Sequence, residues 1–168
     1  MNIIPILDFD TNLISEFNTI FNIAFEKNYP DYFQQVAKPD TYICYKYDMN
    51  KLNSFCIFDM KSANIDPKFA ANQFIYIHSV SVHPDFRGQG LCYQMIKFII
   101  QKYKHLPMYL HVRTTMGNPN THAIKCYQKN NFQLIDCIFS DREDGPNSVM
   151  IRYPQKYHKT KKYSKKKK

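Results

Sequence analysis

Arg87-Gly88-Gln89-Gly90-Leu91-Cys92 joins a strand pattern to a helix pattern, an arrangement that can hold a phosphate. Glycine lets a backbone turn tightly and approach a ligand closely. The first N–H groups of a helix lack internal acceptors and point outward. The helix dipole adds partial positive charge at the same place, so a phosphate or pyrophosphate is favoured there. Two other side chains carry acid–base chemistry. The imidazole of His78, with an ordinary pKa of about 6.5, suits accepting a proton at neutral pH, and the phenol of Tyr127, ordinarily about 10, suits giving one. The elements that must position these groups are legible on either side of the loop. Phe74, Ile75, Ile77, Val80 and Val82 predict a strand over 74–82 that turns at His83-Pro84, and Leu91, Met95 and Ile99 predict a helix over 91–103.

The spacing of the loop narrows the ligand. A dinucleotide site of the G-x-G-x-x-G kind needs a third glycine, and position 93 is Tyr; a G-K-[ST] phosphate loop is absent. What remains is R-x-x-G-x-C, Arg87 to Cys92, behind V-S-V-H-P-x-F-R-G. This resembles the acetyl-CoA loop of the GNAT superfamily of N-acetyltransferases, Q/R-x-x-G-x-G/A, with Cys92 departing from the usual Gly or Ala. An incidental strand–turn–helix is the plain alternative.

A second segment points the same way. Met108 to Phe132 reads as a strand, the turn Gly117-Asn118-Pro119-Asn120, and a helix capped by Asn120 or Thr121. Asn120, Ala123, Tyr127 and Phe132 stand in the register of the GNAT signature N-x-x-A-x-x-x-Y-x-x-x-x-F. The loop between Val112 and Asn120 is longer than usual for the family. The resemblance spans about Asn72 to Tyr153 and implies acetyl-CoA as acyl donor. It implies cofactor contacts from Val80, Ser81 and Val82 of the strand, and from Arg87, Gly88, Gln89, Gly90, Leu91, Cys92 and Tyr93 of the loop and helix start. It also implies an Asn120 contact to the pantetheine arm and Tyr127 as acid to the departing thiolate.

Acetyl transfer to an amine needs a base for the amine proton, a donor for the carbonyl oxygen as it gains charge, and an acid for the thiolate. His78 is the leading base, because the stretch Y-I-H-S-V-S-V-H-P is similar to the arylalkylamine N-acetyltransferase branch, where a matching His serves the proton path. The plain alternative is an ordinary strand histidine. Tyr76 on the same strand face relays the proton or lines the pocket. His111, His122 and His83 read as strand-face, first-turn and turn residues. The reaction implied is direct attack by a small primary amine, an aralkylamine or polyamine, in a ternary complex. The alternatives are acetylation of a peptide N-terminus or lysine, and a non-catalytic acyl-CoA-binding module.

The 168 residues suit one domain, with 44% hydrophobic and 15% aromatic residues indicating a globular chain. No apolar run is long enough to span a membrane, and Met1 to Asp10 lacks the basic residues of a targeting peptide. Five cysteines without a C-x-x-C predict reduced thiols rather than a disulfide framework, and no metal site is expected. That pattern suggests a cytoplasmic protein. The net charge of +9 is concentrated in residues 156–168, which hold eight lysines. That segment reads as a disordered tail able to contact nucleic acid, an anionic surface or a nuclear import receptor, or as a solubilising extension. Residues 1–155 then form the acetyltransferase domain.

Along the chain we expect a strand over 3–9, a helix over 11–26 capped by Thr11, an aromatic connection over 29–33, and a hairpin of strands 41–47 and 54–60. The strand 74–82 and helix 91–103 follow, then a strand over 109–113, a helix over 121–130, and strands over 133–140 and 148–153 around a turn at 141–147. Alternating order predicts an α/β (α+β) fold, a mixed sheet with helices on both faces. The GNAT resemblance implies that its two central strands splay apart.

Overall fold

The computed structural model describes residues 1–25, 29–48, 50–62, 73–115, 118–138 and 147–154. The expected tail at 156–168 and the acidic turn at 141–146 lie outside the described residues. The chain opens with β1 (Asn2–Pro5), then α1 (Ile14–Phe25) and α2 (Tyr32–Val36). Next come β2 (Thr41–Asp48), β3 (Lys51–Lys61), β4 (Phe74–Val82) and α3 (Leu91–Lys102). The remainder is β5 (Met108–Val112), β6 (Thr114–Thr115), β7 (Asn118–Pro119), α4 (Thr121–Lys129), β8 (Gln133–Ile138) and β9 (Asn147–Arg152). Seven strands form one sheet in the order β1-β2-β3-β4-β5-β9-β8, parallel only between β4 and β5, and β6 and β7 form a separate small ribbon.

Two apolar clusters sandwich this sheet. On one face Phe17, Ile20 and Phe21 of α1 and Phe33 of α2 meet Ile43, Leu52, Phe55 and Ile57. Phe17 stacks on Phe55 at 4.1 Å between ring centroids. On the other face Met95, Ile96 and Ile99 of α3 and Tyr127 of α4 meet Cys44, Cys56, Phe58, Ile75, Ile77, Leu110 and Met150. Each buried side chain of this kind contributes roughly 1.5–3 kcal/mol. Strict alternation along β3, with Phe55 and Ile57 to one side and Cys56 and Phe58 to the other, lets one strand feed both layers.

Several expectations are corrected. The first strand ends at Pro5, and Ile6 to Asp8 coil into a 3₁₀ turn that drops Ile6 into the core. Thr11–Leu13 form a 3₁₀ turn leading into α1, and its cap is Asp10, not Thr11: the Asp10 carboxylate accepts from Asn12 N at 2.9 Å. The aromatic connection holds the short helix α2, anchored by carboxamides of α1, where Asn18 Oδ1 accepts from Phe33 N at 3.1 Å and Asn22 Oδ1 from Tyr29 N at 2.9 Å.

The expectation of five reduced thiols is also overturned. Cys92 in the first turn of α3 is disulfide-bonded to Cys126 of α4, with Cα atoms 6.6 Å apart. The two helices pack side by side, and a separation of 34 residues hides the pairing from any local pattern. Cys44, Cys56 and Cys137 remain thiols. Burial pushes the Cys44 thiol up to about 12 and holds Cys56 well above its ordinary value, so both act as small apolar side chains. A cross-link of this loop length contributes typically 2–4 kcal/mol. Cys126→Ser is therefore expected to lower Tm by on the order of 10 °C. Dithiothreitol should lower the wild-type Tm by the same amount and leave the variant unmoved. A thermal melt with and without reductant checks this, and a wild type indifferent to reductant would count against the cross-link.

Candidate active site

The site is organised by how β4 meets its two neighbours. Against β3 the pairing runs from Lys61↔Phe74 to Phe58↔Ile77 and resumes at Ile57↔Ser79, so His78 is an extra residue in a β-bulge. Against β5 the pairing runs only through Ile75↔Met108, Tyr76↔Tyr109 and Ile77↔Leu110. From His78 onward β4 has no pairing with β5 and the two strands part. The bulge also exchanges the faces of β4. Ile75 and Ile77 belong to the core beneath α3, and beyond the bulge Val80 and Val82 pack against that same core. The sequence signal for this is the step from odd positions 75 and 77 to even positions 80 and 82.

His78 falls on the α1 face of the sheet, its side chain 31% exposed, with Nε2 2.7 Å from Oδ2 of Asp59. Asp59 is only 5% exposed, and its carboxylate also takes Lys61 Nζ at 2.6 Å and Thr41 Oγ1 at 2.7 Å. Burial alone would raise the Asp59 carboxyl, but the hydrogen bonds from His78, Lys61 and Thr41 outweigh it and hold the group well below the usual carboxylate range. Around His78 stand aromatic and imidazole rings. Tyr76 meets it edge-on at 4.7 Å between ring centroids, and Tyr76 lies 5.9 Å from Tyr109 and 5.8 Å from His111. Tyr109 OH and His111 Nε2 share a hydrogen bond at 3.1 Å. From α2, Tyr32 reaches over to Ser79; burial raises its phenol, while the Ser79 hydroxyl and Arg113 pull the other way. The structure thus brings Tyr76 to His78, and His111 to the far side of Tyr76. Sequence reasoning missed Asp59, which sits in no motif; Tyr32 belongs to the aromatic connection expected over 29–33.

The loop after β4 is braced from within. His83 N donates to Asn53 O at 2.8 Å, His83 Nδ1 accepts from Asp85 N at 3.2 Å, and Arg87 Nε donates to Val82 O at 3.3 Å. Gly88 and Gly90 adopt φ of +78° and +73°, left-handed values that strain any residue with a Cβ. Gly90 is the N-cap of α3, and Gln94 N is the first amide bonded back to it, at 3.0 Å from Gly90 O. Leu91, Cys92 and Tyr93 therefore present amides with no acceptor inside the helix. Gln94 Nε2 donates to Gln89 O at 3.2 Å and steadies the cradle. No protein atom crowds Gly88, and a Cβ on Gly90 would meet only the end of Gln94, so the glycines keep the cradle open rather than serving internal packing. Leu91 is buried beneath the loop and the Cys92 side chain turns away to Cys126. Ser81 is fully buried on the α1 side of β4, so only its backbone could meet a ligand in the opening.

Across the opening lies α4. Asn120 is its N-cap, accepting from Ala123 N at 3.0 Å, which leaves its two amide protons for a ligand. Tyr127 is 7% exposed, on the α3 side of the sheet, and its ring meets Phe132 at 5.8 Å. Burial, with the Cys56 thiol beside it, pushes its phenol well above its ordinary value. Asn130 Nδ2 donates to Cys126 O at 3.2 Å and to Tyr93 O at 3.4 Å, a second tie between α3 and α4. His78 and Tyr127 therefore lie on opposite faces of the sheet, with the gap between β4 and β5 as the passage between them. His83 belongs to the loop brace, and His122 is an exposed residue in the first turn of α4. Among the described residues no cluster of His, Cys, Asp or Glu could hold a metal ion, and no helix is long and apolar enough to cross a membrane.

No curated protein matches this chain in sequence. Solved structures match it in fold. Arabidopsis thaliana NAA60 in complex with a bisubstrate analogue superposes with TM-score 0.70 at 15% identity, covering 90% of this chain and 97% of that one. Arabidopsis thaliana Naa50 in complex with the bisubstrate analogue CoA-Ac-MVNAL gives 0.63 at 19%, covering 90% and 97%. The aminoglycoside 6'-N-acetyltransferase from Enterococcus faecium gives 0.63 at 12%, covering 90% and 96%. The strand–loop–helix cradle suits the pyrophosphate of coenzyme A, so Gly90→Val is expected to weaken acetyl-CoA binding at least tenfold, about 1.4 kcal/mol. Calorimetry on the folded variant checks this, and an unchanged Kd would move the cofactor elsewhere. The cradle lies within residues 11–132, which match the model of the acetyltransferase (GNAT) family. With most of its length inside that match, the chain belongs to the GNAT acetyltransferase family.

Proposed function

We propose that this acetyl-CoA-dependent acetyltransferase moves the acetyl group to a primary amine that carries no further positive charge, by direct attack in a ternary complex. The observation that carries the reading is the state of the carboxylate at the amine side. Asp59 is buried and already engaged by His78, Lys61 and Thr41. Asp136, near Tyr109, has Oδ1 occupied by Cys137 N at 2.7 Å. The buried carboxylate on this face, Asp59, is already committed to three donors, so among the described residues it has little left to offer the second positive charge of a polyamine or an aminoglycoside. Tyr32, Tyr76 and Tyr109 instead offer aromatic surface, which suits an aralkylamine or the α-amine of a peptide. The peptide reading has one specific support, the fold shared with Naa50, whose bisubstrate analogue joins CoA through acetyl to MVNAL.

The chemistry follows from two groups on opposite faces. On the α1 side His78 takes the proton from the incoming ammonium, and its partly exposed ring passes that proton to water. The amine lone pair then attacks the thioester carbonyl in the gap between β4 and β5. The C–N bond forms, the C–S bond breaks, the sulfur leaves with the electron pair on the α3 side, and the nitrogen gives its second proton to His78, which has by then passed the first to water. Tyr127 stays protonated at rest because burial raises its phenol far above an ordinary thiol near 8.5. Full proton transfer from it to a thiolate runs uphill, so its help takes the form of a hydrogen bond donated to the departing sulfur. The amides at the start of α3 hold the pyrophosphate and fix the thioester's reach.

A panel of amines with acetyl-CoA and thiol detection tests the acceptor. Phenethylamine or peptides with a free N-terminus are expected to turn over at least tenfold faster in kcat/KM than spermidine or kanamycin, and a polycation as best substrate would refute the charge argument. Tyr127→Phe is expected to lower kcat by roughly 10²-fold with acetyl-CoA affinity retained, a positioned hydrogen-bond donor to developing charge being worth about 10²–10³. Wild-type kcat would remove the phenol from the mechanism. For His78→Gln, kcat/KM should fall most at low pH, where free amine is scarce, and least at high pH, where solvent has already removed the proton. Profiles of equal shape and height for variant and wild type would place the base elsewhere.

A further inference from the structure

The Asp59 carboxylate is satisfied beyond what folding asks of it. Lys61 on Oδ2 and Thr41 on Oδ1 already supply a counter-charge and a hydrogen bond. The ladder between β3 and β4 runs from Lys61↔Phe74 to Ser54↔Val82 and holds these strands together without any side-chain tie. Yet His78, the one residue that the bulge inserts, places Nε2 2.7 Å from the same Oδ2. An ionised carboxylate can only accept hydrogen bonds. Asp59 is held in that form by its three donors, so His78 Nε2 must carry a proton. In the neutral imidazole the lone pair is then on Nδ1.

We propose that Asp59 is a positioning residue for acetyl transfer, locking the His78 ring through Nε2–H so that Nδ1 is the atom that takes the substrate's proton. The proposal rests on the reading of His78 as the base. Carboxylate, imidazole and substrate amine then form a line in which the buried anion steadies the imidazolium formed during the reaction. Thr41 prevents the carboxylate from rotating away, and Lys61 balances its charge when His78 is neutral. The other titratable or charged groups facing His78 are Tyr76 on its own strand, Tyr109 and His111 on β5, Arg113 just beyond it, and Tyr32 from α2. Among the described residues, Asp59 is the carboxylate in contact with the His78 ring.

Two measurements test this. The first is kcat for Asp59→Asn, for His78→Gln and for the double variant, with folding checked by circular dichroism. Asp59→Asn is expected to lower kcat at least tenfold with acetyl-CoA affinity unchanged, and to change kcat less than twofold when introduced into His78→Gln. An equal loss in both backgrounds would show a structural role and overturn the proposal. The second is the ¹⁵N–¹H spectrum of the His78 ring. A slowly exchanging Nε2–H signal is expected in the wild type and lost in Asp59→Asn; a wild-type ring protonated on Nδ1 instead overturns the proposal, even if Asp59→Asn does not fold. The two ways of failing are separable. Wild-type turnover in His78→Gln, with the Nε2–H signal present in the native protein, removes the base and with it the need for positioning. A slow His78→Gln beside a fast Asp59→Asn retains the base and rejects Asp59 alone.

Discussion

One inserted residue in β4 governs both the packing of the sheet and its opening. A strand presents alternate side chains to alternate faces, so an extra residue exchanges the faces of everything beyond it. Before His78 the core beneath α3 receives Ile75 and Ile77; after it, Val80 and Val82 face that core, and Ser79 and Ser81 are buried on the other side. The bulge falls where the pairing with β5 stops, so the change of face and the opening of the sheet share one residue. A parallel pair that parted without such a device would turn a uniform apolar edge into the gap. Here the residue at the fork is an imidazole, next to a buried anion on one side and aromatic rings on the other.

The electrostatics of the site divide between the two faces of the sheet. On the α3 side the positive potential comes from unpaired amides and the helix dipole, with Gly88 and Gly90 keeping the backbone accessible. This positive charge needs no side chain and does not vary with pH. On the α1 side the charge is carried by titratable groups, Asp59, Lys61 and His78, in direct contact. Tyr127 stands apart from both, its proton retained by burial rather than by a partner.

How much of this is legible in the sequence depends on whether the cause is local. β4 is legible at its full extent, Phe74–Val82, and α3 to within one residue, because their apolar residues recur at strand and helix periods. Gly88, Gly90 and Asn120 stand out because a positive φ and a helix cap demand particular residue types. The helix α2 escapes: five residues are too few to show a period, and its hold comes from Asn18 and Asn22 of the preceding helix. The bulge leaves a trace, the change of parity between Ile77 and Val80, that an alternating pattern hides when read as continuous. Asp59 leaves none, since it is an isolated acid in an apolar strand and meets His78 only through β3–β4 pairing. The Cys92–Cys126 bond is likewise a product of how α3 packs on α4.

That bond has a consequence in linkage. The first turn of α3 carries the amides of the phosphate cradle, and Cys126 precedes Tyr127 on the opposing helix. Binding of the nucleotide and the oxidation state of the pair are therefore two equilibria acting on one wall. Whatever factor the closed bond contributes to the affinity for coenzyme A, bound coenzyme A must return as an equal factor in the resistance of that bond to reduction.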